Sequence, residues 1–260
     1  VLTKKGKGYR PAEKKPDVFH GVGAFDIRSG EPEREEAVTY TGIFGQWMID
    51  TAAKEETMVS VCAAMPDGTG LREFSEKYPE RFYDVGIAEE HAVTFAAGLA
   101  AGGLRPVVSL YSTFMQRAYD QLLHDVCING LPVILTLDRS GIVGKDGETH
   151  QGIFDISYLS SIPGITVLSP MDGEELKVSL DYAMYHLKAP VAIRYPRGAA
   201  YAYKGTHTAI EYGKAEVLRE GTEVLILAVG NMVKTALETA ERLKGSGICP
   251  TVVNVRFVKP

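Results

Sequence analysis

Five short runs of almost unbroken apolar residues constrain this chain more than any other feature: Met58–Ala63, Pro106–Tyr111, Val133–Leu137, Ile165–Leu168 and Val191–Tyr195. They do not alternate polar with apolar. Strands of that kind are buried on both faces, which is the habit of a parallel sheet covered by helices on each side. Helical patterns lie between them. Ile43, Phe44, Trp47, Met48 and Thr51 recur at helical spacing. Glu89–Ala101 is rich in Ala and Gly and can pack close to a sheet. The spacing predicts a helix over Phe114–Asn129, opened by a capping box of Thr113 and Gln116, and another after an Asp172/Glu175 box that runs through Leu176, Leu180, Ala183, Met184 and Leu187. The alternation defines an α/β fold with a doubly wound, mostly parallel sheet.

Around this core the organisation changes. Residues 1–36 carry 15 charged residues and several Gly and Pro with no surviving period, which reads as a linker or arm. Residues 37–200 hold the doubly wound domain, and 201–222 lose the pattern and read as a second linker. Over 223–260 a new α/β pattern opens: a buried strand Val224–Val229, a helix Val233–Leu243 with Ala236, Leu237, Ala240 and Leu243 inward, and a strand Thr251–Val255. Two strands cannot make a stable sheet alone, so this second domain is expected to be the start of a larger one. The sequence does not begin with Met, which suggests a processed chain or a fragment, and Val1–Lys5 has no apolar stretch behind it to act as a signal peptide.

Composition excludes several classes. Of 260 residues, 45% are hydrophobic and 23% charged, with a net charge of −5, so the chain as a whole is not disordered and offers no general attraction to nucleic acid. No apolar run reaches the roughly 20 residues that span a bilayer. Cys62, Cys127 and Cys249 are few, odd in number and scattered, which argues for a reducing compartment, the cytoplasm, and against disulfides or a thiolate metal site. There is no P-loop. The Gly-rich match at Gly98–Gly103 ends a helix where a dinucleotide fingerprint would open one, and no His/Cys/acid spacing fits a protein-held metal.

Three polar clusters fall at successive strand-to-helix junctions, where open α/β sheets place their chemistry. Asp84–His91 brings Glu89, Glu90 and His91 into an otherwise apolar helix; the plain alternative is acids favouring a helix N-terminus. Tyr111–Arg117 ends a strand with an aromatic, two hydroxyls, a second aromatic and a cation; the plain alternative is an ordinary helix start. Asp138–Gly152 is a long Gly-rich loop with Arg139, Asp146 and His150, of the kind that often carries function.

At these residues the sequence resembles a known family. Arg81–Val93, with the Asp84-Val85-Gly86-Ile87-Ala88-Glu89-Glu90-His91 run, is similar to the pyrimidine-binding motif of thiamine-diphosphate enzymes of the transketolase superfamily. Tyr111–Phe114, Gln116–Gln121, Asp138-Arg139, Asp146–Gly152 and Arg194–Gly198 resemble more closely the 1-deoxy-D-xylulose-5-phosphate synthases within it, as do Thr3–Tyr9, Phe19–Gly23 and Asn254–Pro260. Transketolases and 2-oxo-acid dehydrogenase β-type subunits share the glutamate and the fold and stand as the alternative, with a catalytically silent fragment as a third reading. The resemblance implies a transferase that joins pyruvate to glyceraldehyde 3-phosphate with loss of CO₂, feeding isoprenoid, thiamine and pyridoxal precursors, and that works as a homodimer. It implies thiamine diphosphate as cofactor. Mg²⁺ and the diphosphate belong to an N-terminal domain whose motif is missing here, so the isolated chain is expected to be inactive. Glu89 is implied as the acid at ring nitrogen N1′, its pKa raised by Ile87, Ala92 and Val93. Phe114 would stack on the pyrimidine, with Ile87 and Tyr111 completing the pocket and Lys5 approaching from the linker. Arg117 and Arg197 would bind the acceptor's phosphate, with Arg139 a further candidate. Asp146, His150 and His20 would face the acceptor and the reacting centre, and His150, His20 and His91 are each candidates for proton relay.

Overall fold

In a computed structural model, residues 1–16, 18–20, 22–31 and 37–260 are described. Residues 1–37 form one compact unit and 38–260 another. The smaller unit holds helix α1 (Arg10–Lys14) and a 3₁₀ turn at Val18–His20. Its centre is aromatic: Phe19 and Phe25 meet edge to face at 5.2 Å and Tyr9 packs on both, its hydroxyl donating to Ile27 O at 2.9 Å. These widely spaced aromatics carry no period, so the sequence reading as a mere arm misses this local order.

The larger unit begins with α2 (Tyr40–Ala52), capped by Thr39, whose hydroxyl accepts from Gly42 N at 3.0 Å. There follow β1 (Met58–Cys62), α3 (Arg72–Lys77), β2 (Phe82–Asp84), α4 (Glu89–Ala101), β3 (Arg105–Tyr111), α5 (Ser112–Met115), α6 (Tyr119–Gln121), β4 (Ile134–Asp138), α7 (Asp155–Ser161), β5 (Thr166–Leu168), α8 (Gly173–His186) and β6 (Val191–Arg194). The remaining elements are β7 (Glu216–Arg219), β8 (Val224–Ala228), α9 (Met232–Lys244), β9 (Pro250–Asn254) and β10 (Phe257–Lys259).

Seven strands form one sheet in the order β10-β5-β6-β4-β3-β1-β2, parallel except for β10. Strands β1, β3, β4, β5 and β6 are almost wholly buried, as continuous apolar runs require. On one face pack Phe44, Trp47 and Met48 of α2 with Leu176 and Leu180 of α8. On the other, Ala92, Ala96, Ala97 and Ala100 let α4 lie close against Val108 and Leu110.

Four local expectations need correction. The single helix over Phe114–Asn129 is broken into α5, a 3₁₀ turn at 116–118, α6 and a π-helical turn at Leu122–Cys127. The Thr113/Gln116 capping box does not form there; Gln116 Nε2 donates back to Thr113 O at 2.9 Å instead. Residues 201–222 are not all linker, since β7 lies within them and supplies an antiparallel third strand to the small sheet β7-β9-β8. Strand β8 is also less buried than its apolar run suggests. It is an edge strand whose outer face has no cover among the described residues, leaving Leu225 and Leu227 61% and 63% exposed, while Val233, Ala236 and Ala240 of α9 pack inward.

Candidate active site

All the parallel strands of the large sheet deliver their carboxyl ends to one edge, and the polar clusters gather there. The β2–α4 junction is built by Asp84, whose Oδ1 accepts from Ala64 N at 2.8 Å and Gly86 N at 3.0 Å. Gly86 sits at φ +73°, a turn that glycine adopts without strain. That turn starts α4 with Glu89 as its first residue. Glu89 is buried, 3% exposed, at the positive end of a 13-residue helix, where a carboxylate is favoured. Glu90 and His91 point to solvent, and His91 stacks on Phe95.

Of the three apolar residues expected around Glu89, Ala92 and Val93 are fully buried and Ile87 is exposed. Arg117 Nη1 donates to Glu89 Oε1 at 2.6 Å, and Ile87 is 81% exposed, so its side chain covers neither the acid nor a pocket among the described residues. The Arg117 guanidinium lies 5.0 Å from the centre of the Phe114 ring. Phe114 stacks on Tyr111, at 5.6 Å and 10° between planes, and Arg139 covers Tyr111 at 4.1 Å. The two arginines thus bracket an aromatic pair, an arrangement favoured by the charge distribution of the rings. His150 meets Phe114 edge-on at 5.3 Å and Tyr111 at 6.3 Å, with Nδ1 2.9 Å from the Thr149 hydroxyl. Burial pushes the Tyr111 phenol up to about 12, so it stays protonated. Gly68 allows Tyr111 its place, because a Cβ there would collide with the Tyr111 hydroxyl.

Asp146 is shared between two cations. Its Oδ1 lies 3.2 Å from Arg197 Nε and its Oδ2 3.6 Å from Arg139 Nε. Arg197 remains 39% exposed and available to an anion, whereas Arg139 is 13% exposed. Strand register places Asp138 of β4 opposite Tyr111 of β3. Asp138 is fully buried; burial pushes its carboxyl up, and Arg139 and the Thr41 hydroxyl act against that. The structure therefore gathers Glu89, Tyr111, Phe114, Arg117, Arg139, Asp146, His150 and Arg197. Lys5 is exposed in the N-terminal unit, and the side chain of His20 lies outside the described residues. Sequence reasoning missed Thr41 and Gly68, which show no motif, and passed over Asp138, although a carboxylate ending an apolar strand is a usable signal.

One cluster with metal-ligand chemistry occurs among the described residues: Glu175, His207 and Glu216. Its carboxylate oxygens already accept N–H donors from Arg256, Asn254, Met171, Thr208 and His207, so it is a closed ion network. No described helix is long and apolar enough to cross a membrane.

The carboxyl edge of the parallel sheet thus carries a buried acid at a helix N-terminus, an aromatic pair and three arginines. Residues 36–201 match the pyrimidine-binding domain of transketolases, and the chain belongs to that family. Residues 213–260 match the transketolase C-terminal domain. Over its whole length the chain is 55% identical to 1-deoxy-D-xylulose-5-phosphate synthase of Pelotomaculum thermopropionicum and 56% identical to 1-deoxy-D-xylulose-5-phosphate synthase 2 of Geobacter sulfurreducens. It spans 41% and 42% of those proteins. A solved split-gene transketolase, described as an inactive β4 tetramer, aligns with a TM-score of 0.73 and 28% identity over 84% of this chain and 71% of its own.

Proposed function

We propose that this chain supplies the pyrimidine side of a synthase that joins pyruvate to glyceraldehyde 3-phosphate, releasing CO₂ and forming 1-deoxy-D-xylulose 5-phosphate. The observation that carries the reading is the joint placement of a buried acid, an aromatic stack and an arginine pair at one sheet edge. Bound thiamine diphosphate supplies a reactive C2 carbon and an electron sink for decarboxylation. The residues present fit its aminopyrimidine: Glu89 is a buried acid at a helix N-terminus able to hold or move a proton at N1′, and Phe114, linked to it through Arg117, is an aromatic ring suited to stacking. Mg²⁺ calls for oxygen ligands, which this reading assigns to the cofactor's diphosphate and to sequence that the longer relatives carry.

Arg197 and Arg139, held together by Asp146, make a cationic wall on the acceptor side. Guanidinium groups suit a phosphate because each presents paired donors. Arg117 is half exposed and pairs with Glu89. His150, packed on the aromatic pair, serves as the proton carrier. We further read the protein as a cytoplasmic homodimer; the buried, unpaired thiols of Cys62 and Cys127 suit a reducing compartment.

The test is an assay in a chain extended to the full length of the relatives, with pyruvate and glyceraldehyde 3-phosphate set against ketose donors. Pyruvate-dependent CO₂ release coupled to deoxyxylulose phosphate is the expected result. Turnover with ketose donors alone would assign the chain to transketolases instead.

A further inference from the structure

Asp138 belongs to none of the roles described above, yet it is a fully buried carboxylate at the end of the strand beside Tyr111. Both of its oxygens engage Arg139. Oδ1 accepts the Arg139 backbone N–H at 2.6 Å, and Oδ2 faces Arg139 Nη1 at 3.0 Å. Oδ2 also accepts the Thr41 hydroxyl at 2.6 Å, which ties the pair to helix α2.

Arg139 needs such a clamp for two reasons. Its backbone sits at φ +59°, a left-handed conformation that side chains other than Gly rarely adopt. Its guanidinium is turned back over Tyr111, donating to Gly68 O at 2.6 Å, so a long side chain is held in one of many rotamers. Arg139 then faces Asp146, which holds Arg197. The charges alternate in sign from the buried interior to the half-exposed cation: Asp138, Arg139, Asp146, Arg197.

We propose that Asp138, braced by Thr41, is a positioning residue: it fixes both the turn and the guanidinium of Arg139, so that Arg139 and Arg197 meet an acceptor phosphate as one preorganised pair. The inference rests on the acceptor assignment made under Proposed function. Asp138 itself touches no substrate; it acts through Arg139.

The test uses Asp138→Asn in the full-length enzyme. Asn keeps the size and loses the charge. Losing one charge-assisted hydrogen bond from the pair corresponds to a roughly ten-fold or greater rise in KM for glyceraldehyde 3-phosphate. KM for pyruvate should stay within about two-fold, and an acceptor lacking the phosphate should be handled equally by both proteins. Thr41→Val should give a smaller rise with the same selectivity, and Thr41→Ser should restore the original value; this series decides the matter if Asp138→Asn does not fold. Equal rises for both substrates, or an equal penalty on the unphosphorylated acceptor, overturn the proposal. A crystal structure of either variant gives a readout independent of turnover. Arg139 still seated on Tyr111 and Gly68 in the variant would overturn the positioning role even if the wild-type enzyme used other substrates, whereas wild-type inactivity with this substrate pair would count against the proposed function alone.

Discussion

Replacing His207 by Ala removes an imidazole clamped between two carboxylates that come from different parts of the larger unit. Its Nε2 lies 3.1 Å from Asp172 Oδ2 at the cap of α8, and its Nδ1 lies 3.2 Å from Glu216 Oε2 on β7. Both ring nitrogens face acceptors, so the geometry calls for donors on both sides and hence the charged imidazolium. Glu175 and Arg256 complete the surroundings, with the Tyr203 ring 5.4 Å away. Burial acts to lower the His207 pKa, but its hydrogen bonds to Asp172 and Glu216 and the charge of Asp172 outweigh that and raise it above 6.5. Glu216 moves the other way: burial acts to raise it, and the Thr208 N–H, His207 and Arg256 bring it below 4.5.

The size follows from the contacts. Hydrogen bonds between charged groups contribute about 1.5–3 kcal/mol each, and breaking a buried pair costs about 3–5 kcal/mol. Asp172 keeps Tyr203 N and Glu216 keeps Arg256 and Thr208 N, so the lower end, about 3 kcal/mol, applies. For a domain of this size that is about 6–12 °C in Tm. The sign in pH follows from the raised histidine. Its contribution is whole below the unfolded-state value of 6.5, provided Glu216 and Asp172 remain ionised, and is lost as pH rises through the higher folded-state value. Calorimetry of wild type and His207→Ala at pH 6 and at successive alkaline steps is the measurement. The Tm gap should be widest near pH 6 and narrow with alkalinity. A gap that is constant with pH, or widens above pH 8, refutes an imidazolium clamp.

In the full-length enzyme, Glu89→Gln keeps the fold but removes the acid that serves N1′, so hydrogen–deuterium exchange at the cofactor's C2 should slow by about 10²-fold or more; an unchanged exchange rate removes Glu89 from that role. Arg197→Ala should raise KM for glyceraldehyde 3-phosphate about ten-fold or more while affecting pyruvate much less, because one substrate alone carries a phosphate; parallel rises in steady-state assays would place this arginine in the scaffold. Arg194→Leu strands the buried Asp155, which Arg194 Nε and Nη2 contact at 2.9 and 3.2 Å, and should cost about 3–5 kcal/mol in chemical denaturation; a cost under about 1 kcal/mol would show that the pair carries no such weight. A verified 260-residue chain, free of longer enzyme, should make no deoxyxylulose phosphate, as followed by product-specific mass spectrometry.

Much of the architecture was legible because burial on both faces leaves a mark in one dimension. The runs at β1, β3, β4, β5 and β6 are apolar without alternation, and α4 begins at Glu89, where an acid-rich turn follows Gly86. The Asp172 cap on Glu175 N, at 2.8 Å, likewise follows from residue types three positions apart. Strands β2, β7 and β10 leave no such mark, being three or four residues long and partly exposed. Their pairing depends on partners distant in sequence, as Phe257 does on Leu168. The same holds for the site. Residue types and their junctions singled out Glu89, Tyr111, Phe114, Asp146 and His150, because chemistry-bearing side chains interrupt apolar patterns there, whereas Arg197 was named by the family resemblance alone. Tertiary structure alone decided that Arg117 pairs with Glu89, that Ile87 turns to solvent, and that Asp138 and Thr41 reach each other across 97 positions to hold Arg139. Propensity and period are properties of neighbours along the chain, whereas charge pairing and burial are set by whatever the folded sheet brings alongside.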